Sequence, residues 1–245
     1  MKFINTNIIG TYNLLKSIQF NIKYLKNFLF IHISTDEVYG SLKNKKEKSF
    51  IESSKFYPNS PYSASKASSD LLVRAWNKTY NIPSIVTNCV NNYGPWQFPE
   101  KLIPVVVNSC IKFIPIPIYG NGKNIREWIH VEDHVDCLIE LSKKGKIGET
   151  YNIGSGYELE NLTLVKKICD YFDKFHPNKY SHNKLITFIK DRPGHDYRYA
   201  INNSKVKRIV KEISKKNFDN KLIHTLNWYI NHNNWIDKKL KIKFY

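Results

Sequence analysis

An α/β fold, the C-terminal part of a doubly wound parallel sheet plus a smaller α/β unit, is predicted for this 245-residue chain by three features. Short apolar, β-rich runs alternate with stretches whose apolar residues recur at helical spacing. The run at 28–34 is apolar without alternation, as in a strand buried on both faces of a parallel sheet. Polar, proline-containing segments lie between the runs. In order, Ile8, Tyr12, Leu15 and Ile18 predict a helix over 4–19. The strand at 28–34 follows, then a polar loop over 41–60. Ser60-Pro61 opens a helix over 62–80, with proline in its first turn. A strand at 84–89 completes a β-loop-α-β order. Asn91 to Pro95 reads as a turn and 101–112 as a helix. Pro115 and Pro117 exclude helix from 114–119, which is extended. A helix over 132–144, a strand over 150–153, a helix over 161–175, a strand over 185–189 and a loop over 190–200 follow. Helices over 204–213 and 218–233 end the reading.

Composition narrows the function classes. Hydrophobic content of 42% with 14% aromatics suits a packed globular chain. No apolar stretch reaches the roughly 20 residues of a membrane span. The start, Met1 to Asn7, lacks the apolar segment and cleavage site of a signal peptide, so a cytoplasmic location is expected. The formal charge of +17 invites a nucleic-acid partner, yet 33 of the basic residues are Lys and 5 are Arg. Lys, Ile and Asn share AT-rich codons, and the lysines are scattered apart from short clusters at 43–48 and 238–243. A solvated surface accounts for the charge, and no nucleic-acid or membrane partner is expected. Cys89, Cys110, Cys137 and Cys169 show no C-x-x-C spacing, nor do the histidines show ligand spacing, so no metal site is expected.

Two places carry chemistry. Asp36 and Glu37 adjoin Thr35 at the carboxyl end of the first predicted strand, where parallel sheets place ligands. Neighbouring carboxyls driven to different pKa values can divide acid and base roles. On pattern alone, two exposed acids opening a loop fit as well. Tyr62 and Lys66 share a helix face at i,i+4 spacing. A lysine beside a phenol lowers its pKa and lets it act as a base on an alcohol. Four other pairs have the same spacing: Tyr12/Lys16, Tyr39/Lys43, Tyr119/Lys123 and Tyr180/Lys184. Position at a helix start, just after the strand bearing Thr35, distinguishes Tyr62. Alcohol oxidation of this kind needs a dinucleotide, but Gly10 is the only glycine before Gly40, so no glycine-rich phosphate loop precedes the motifs.

Five segments occur in a fixed order: Ser34-Thr35-Asp36-Glu37-Val38-Tyr39-Gly40, Pro61-Tyr62-Ser63-Ala64-Ser65-Lys66-Ala67-Ser68, Asn91-Asn92-Tyr93-Gly94-Pro95, Phe98-Pro99-Glu100-Lys101-Leu102-Ile103-Pro104 and Asp191-Arg192-Pro193-Gly194-His195-Asp196. Together they resemble the dTDP-glucose 4,6-dehydratases, a family of extended short-chain dehydrogenases/reductases with a Rossmann-like NAD domain. The resemblance spans about residues 3 to 235. It implies dehydration of dTDP-glucose to dTDP-4-dehydro-6-deoxyglucose, a step of deoxysugar and rhamnose biosynthesis, with NAD as a regenerated cofactor. It further implies that Tyr62 takes the O4 proton, Lys66 tunes Tyr62 and holds the nicotinamide ribose, and Thr35 binds near O4. Glu37 would take the C5 proton and Asp36 protonate the departing C6 hydroxyl. Thr6 and Asn92 match cofactor positions. Asn91, Glu100, Lys101, Leu102, Pro117, Ile118, Tyr119, Arg126, Asn161, Arg192 and His195 match substrate positions, with the two arginines suited to the diphosphate. UDP-glucose is the alternative substrate.

The resemblance also implies a division of the chain. Residues 1–90 and 128–153 would form a partial NAD-binding unit, and 91–127 with 154–245 a sugar-nucleotide-binding unit. About 95 residues that the family places earlier, with the glycine-rich loop and first strands, have no counterpart here. The chain alone is therefore expected to bind NAD poorly and to be inactive, as a remnant or as one half that works with a separate N-terminal fragment. A homodimer through helices 4–19 and 62–80 is expected. Val90 and Ser155-Gly156-Tyr157 depart from the family pattern without touching a catalytic position.

Overall fold

The computed structural model describes residues 1–210 and 217–240. Three parallel strands, β1 (Phe30–Thr35), β2 (Ser84–Cys89) and β6 (Thr150–Ile153), form a sheet in the order β1-β2-β6. The register sets Ser34 beside Asn88 and Asn88 beside Asn152, so polar side chains line up near the carboxyl edge. Successive strand residues face opposite sides. Val86 packs with Leu15 of α1 (Gly10–Asn21) and Val73 of α2 (Pro61–Tyr80) on one face. Ile85 packs with Cys137 and Leu141 of α4 (Val131–Lys144), and with Ile201 and Val206, in a second cluster. Helices on both faces are what the doubly wound reading requires. The first helix starts in π-turns over Ile4–Ile9 before α1.

Helix α2 begins at Ser60, whose hydroxyl accepts from the Ser63 amide while the Ser63 hydroxyl accepts from the Ser60 amide, with Pro61 following. It ends at Asn81 in the left-handed region. Up to Asp70 its buried face is small or polar (Ser63, Ser65, Ala67, Ser69, Asp70), which lets the helix lie close to the sheet, and Val73 follows as its apolar anchor. Among the described residues β1 pairs only with β2. Ile33 is half exposed, as are Phe3, Ile4 and Leu14.

The second part is built on β3 (Asn91–Tyr93), β5 (Ile125–His130) and β7 (Glu158–Glu160), with β3 and β5 parallel and β7 antiparallel to β5. A parallel pair, β4 (Ile116–Tyr119) and β8 (Ile186–Ile189), flanks it. Its core joins Ile103 and Val106 of α3 (Leu102–Lys112), Leu164 and Ile168 of α5 (Asn161–Phe175), and Leu222 and Tyr229 of α7 (Phe218–Asn231).

The fold class agrees with the sequence reading, and several elements correct it. Asn91–Tyr93 is a short strand rather than a turn. Strand β5 escaped detection because Arg126 and Glu127 interrupt its apolar pattern, although all six residues are buried. Strand β7 is polar and three residues long. The helix expected over 204–213 is a short α6 (Ser204–Lys207), and 211–213 lie outside the described residues. The helix expected over 218–233 stops at Asn231, and α8 (Asn233–Leu240) follows. Of the lysine cluster at 238–243, residues 241–243 lie outside the described residues. Among the described residues no helix is long and apolar enough to cross a membrane, and no group of His, Cys, Asp and Glu is arranged to hold a metal.

Candidate active site

Thr35 ends β1, and a single 3₁₀ turn over Asp36–Tyr39 begins there, with the Thr35 hydroxyl accepting from the Glu37 amide at 3.3 Å. The turn closes at Gly40, where φ is +86° and a Cβ would stand 2.4 Å from the Tyr57 carbonyl oxygen, so only glycine fits. This geometry buries Asp36 and leaves Glu37 half-buried. The Thr35 hydroxyl donates to Asp36 Oδ1 at 3.3 Å, while Oδ2 has no partner among the described residues. Burial, then the Glu37 charge, pushes the Asp36 carboxyl well above its usual range. Burial also raises Glu37, but Arg126 and Arg192 oppose the rise. The two acids therefore occupy different environments, which is the condition for opposite proton roles.

Tyr62 opens α2, its ring meeting Phe3 edge-on at 5.5 Å. Burial pushes its phenol up to about 12, and the Glu37 charge adds to the rise. The expectation that Lys66 lowers the Tyr62 pKa is not met in this state. Lys66 Nζ donates to the Ile33 carbonyl at 2.7 Å, and burial lowers its own pKa. Asn92 donates to the Val90 carbonyl at 3.1 Å, and its Oδ1 lies 2.9 Å from His134 Nδ1. Thr6 is exposed on the π-turns.

A cavity of about 420 Å³ opens between the two parts. Glu37 and Asn91 line it, with Glu100, Lys101 and Leu102 at the start of α3, Pro117, Ile118 and Tyr119 of β4, Arg126 of β5, Asn161, Arg192 and His195. Every expected substrate position except Thr35 is brought to this one cavity. Thr35, Asp36, Tyr62, Lys66, Thr6 and Asn92 are not among its lining residues. Gln97, Val105 and Trp128 also line it and were not singled out in the sequence. Gln97 sits just before the Phe98–Pro104 motif and Val105 one helical turn after Lys101, so motif neighbourhood was the only available signal.

Arg126 is buried and held by backbone carbonyls, donating to Ile125 O at 2.8 Å and Asp196 O at 3.0 Å, with its guanidinium 4.4 Å from the centre of the Tyr199 ring. Arg192 is exposed and lies 5.9 Å from the centre of the Tyr119 ring. His195 Nδ1 stands 2.6 Å from Asp191 Oδ1, and burial lowers its pKa.

The residues match a dinucleotide at one end only. Tyr62 and Lys66, on α2 with the Lys66 ammonium bonded to the Ile33 carbonyl of β1, offer a hydroxyl and a cation that suit a ribose and nicotinamide. No glycine-rich loop is found among the described residues to receive the diphosphate. Gly10 is helical, and a Cβ there would meet only Asn5 O at 3.5 Å.

Glu127, which the sequence did not single out, is 1% exposed behind the cavity strand. It accepts from the Gly156 amide at 2.7 Å and the Ile201 amide at 3.3 Å. A Cβ on Gly154 would stand 2.2 Å from its Oε1. Burial lifts its pKa to about 7. A carboxyl raised on folding stabilises below its unfolded value of about 4.3 and loses that contribution as pH rises through 7. Unfolding free energy is therefore expected to fall between pH 5 and pH 8. Urea titrations should show a smaller slope with pH for Glu127→Gln, and an unchanged slope contradicts the assignment.

A family model described as GDP-mannose 4,6 dehydratase matches residues 1–222. The chain is 47% identical to the dTDP-glucose 4,6-dehydratase of Shigella flexneri over 247 residues, covering 96% of this chain and 68% of that protein. Among solved structures it is similar to dTDP-glucose 4,6-dehydratase from Bacillus anthracis in complex with NAD, with a TM-score of 0.84 and 42% identity, covering 96% of this chain and 71% of that one. The dTDP-glucose 4,6-dehydratase from Streptomyces venezuelae, with NAD bound, gives a TM-score of 0.85 and 38% identity over 96% of this chain and 68% of that one.

Proposed function

The chain belongs to the dTDP-glucose 4,6-dehydratase family, and from that premise we propose that it carries the sugar-nucleotide pocket and the proton-transfer groups for dehydrating dTDP-glucose. The observation that supports this most is one cavity with Glu37, Arg126, Arg192 and Tyr119 in its wall, Arg192 lying 5.9 Å from the centre of the Tyr119 ring. A diphosphate between the arginines and a base against Tyr119 orient the glucosyl group toward Glu37. Tyr62 takes the proton from O4, with Thr35 hydrogen-bonding the same oxygen and Lys66 holding the nicotinamide ribose. Bound NAD would be held at its nicotinamide ribose by Tyr62 and Lys66 and would supply the hydride chemistry that links C4 and C6. The 4-keto group acidifies C5–H, and Glu37 removes that proton. Asp36, whose protonated form burial favours, gives its proton to the C6 hydroxyl, which leaves as water. A proton from Glu37 then restores C5.

Residues 1–90 and 128–153 form the cofactor side of this assignment, and 91–127 with 154–245 the sugar-nucleotide side. The chain spans 68% of the length of the Shigella flexneri relative. Tight NAD+ binding and turnover require a glycine-rich loop from a preceding segment or a separate fragment. Calorimetry of this chain tests the pocket directly. Binding of dTDP-glucose, tighter than UDP-glucose, with NAD+ weaker than micromolar, is the expected result. Failure to bind either sugar nucleotide overturns the proposal, and tighter UDP-glucose binding reassigns the substrate. Adding the loop segment should then yield a product lighter by one water in mass spectrometry.

A homodimer through helices 4–19 and 62–80 is also proposed, supported by the exposed Ile9, Tyr12, Leu14 and Leu71 on those helices. Sedimentation should give a dimer that Leu14→Asp with Leu71→Asp converts to monomer. A monomeric parent chain rejects this assembly.

A further inference from the structure

Asp70 is fully buried on α2, one turn past Lys66 and two past Tyr62. Its Oδ2 accepts from Asn88 Nδ2 at 2.9 Å, and the same amide nitrogen donates to the Thr35 carbonyl at 3.2 Å. Asn88, also fully buried, offers its Oδ1 to the Tyr39 hydroxyl at 3.3 Å, and that hydroxyl donates to Asn152 Oδ1 at 2.9 Å. Tyr39 is the last residue of the turn that carries Asp36 and Glu37. On the other side, Asp70 Oδ1 stands 3.1 Å from His32 Nε2, which is also 3.1 Å from the Ser69 hydroxyl. A continuous buried chain of polar contacts thus joins the helix bearing Tyr62 and Lys66 to the strand end and turn bearing Thr35, Asp36 and Glu37.

We propose that Asp70 and Asn88 are positioning residues that hold the Tyr62/Lys66 pair in fixed register against the Asp36/Glu37 pair. The inference rests on the function proposed above. A reaction that moves protons at O4, C5 and C6 of one sugar ring needs its groups held to a fraction of an ångström. They lie on two elements separated by the polar loop at 41–60. An apolar contact between α2 and the sheet would permit sliding, because it has no preferred direction. A planar amide that donates to both elements through one nitrogen does not. The Asn88 amide has both faces of its capacity used, so rotating it breaks bonds on each side. Asp70 has a second effect through charge. Burial lowers Lys66, and Asp70 is the largest opposing influence, ahead of Cys89. Asp70 therefore helps keep Lys66 cationic.

Two variants separate this role from simple stapling of the fold. Asp70→Asn keeps the shape and an acceptor for Asn88 but removes the charge. In the full chain with ¹³Cε-labelled lysine, assigned through Lys66→Arg, the Lys66 midpoint is expected to drop by about one pH unit. Tyr39→Phe cuts only the far end of the chain of contacts. It should leave the Lys66 midpoint in place while lowering kcat about tenfold with KM unchanged, in protein supplied with the loop segment. An unmoved Lys66 midpoint in Asp70→Asn overturns the inference, as does wild-type kcat in Tyr39→Phe. A parent protein that binds no sugar nucleotide and is inactive counts instead against the function itself, and the Lys66 titration still decides the role of Asp70.

Discussion

Replacing Tyr62 by Phe is expected to lower dTDP-glucose turnover by about 10³-fold, the usual scale for removing a general base. The oxidation of C4 cannot begin until the O4 proton has somewhere to go, and in the assignment that acceptor is Tyr62. The Phe3 contact at 5.5 Å is made by the ring, which the substitution keeps. Thermal unfolding should therefore stay within a few degrees of the parent, and affinity for dTDP-glucose should change little, since Tyr62 does not line the cavity. The measurement is product formation by mass spectrometry in protein completed with the loop segment, alongside calorimetry of the chain. Turnover within tenfold of the parent would remove Tyr62 from the mechanism. The phenol's elevated pKa, about 12 in this state, makes the test sharper. Burial, then the Glu37 charge, opposes ionisation of the phenol here, while Lys66 Nζ is bonded to the Ile33 carbonyl.

The second large effect divides the carboxyl pair. Glu37→Gln is expected to reduce turnover by about 10²–10⁴-fold and to abolish solvent deuterium incorporation at C5, because an amide cannot accept that proton. Asp36→Asn should also slow loss of water, by about 10²-fold, while leaving any C5 exchange in place. The pH profiles differ in sign as well. Asp36 acts in its protonated form, so the parent's rate should decline as pH rises through the raised Asp36 value. That decline should vanish in Asp36→Asn, whose residual rate no longer depends on a donor at this position. Deuterium appearing at C5 with Glu37→Gln would require the two roles to be reassigned.

Residue pattern alone leaves the roles of Asp36 and Glu37 open, because they differ by one methylene, and the family resemblance is what assigns them. A single 3₁₀ turn distinguishes them. It buries one beside the Thr35 hydroxyl and turns the other toward Arg126 and Arg192. Glu127 shows the converse limit. Adjacent to Arg126 on a strand, it resembles a surface ion pair in sequence, yet it is fully enclosed and bonded to two backbone amides. Charge predicts exposure only until the backbone supplies partners for a buried group.

The alternation of strands and helices, the start of α2 at Ser60-Pro61, and the five ordered segments that carry the family resemblance are legible in the residues alone. Those features are written in short windows, where apolar period, capping and turn chemistry act between near neighbours. That Glu37, Lys101, Tyr119, Arg126, Asn161 and Arg192 line one cavity becomes visible in the folded chain, where the resemblance had matched all but Glu37 to substrate positions without placing them in space. The tertiary structure also decided that Lys66 spends its ammonium on Ile33, and that Asp70, Asn88 and Tyr39 tie two distant elements together. Each of these depends on contacts between residues far apart along the chain. No local period records such contacts, because which strand lies beside which is settled by burial and pairing across the whole sheet.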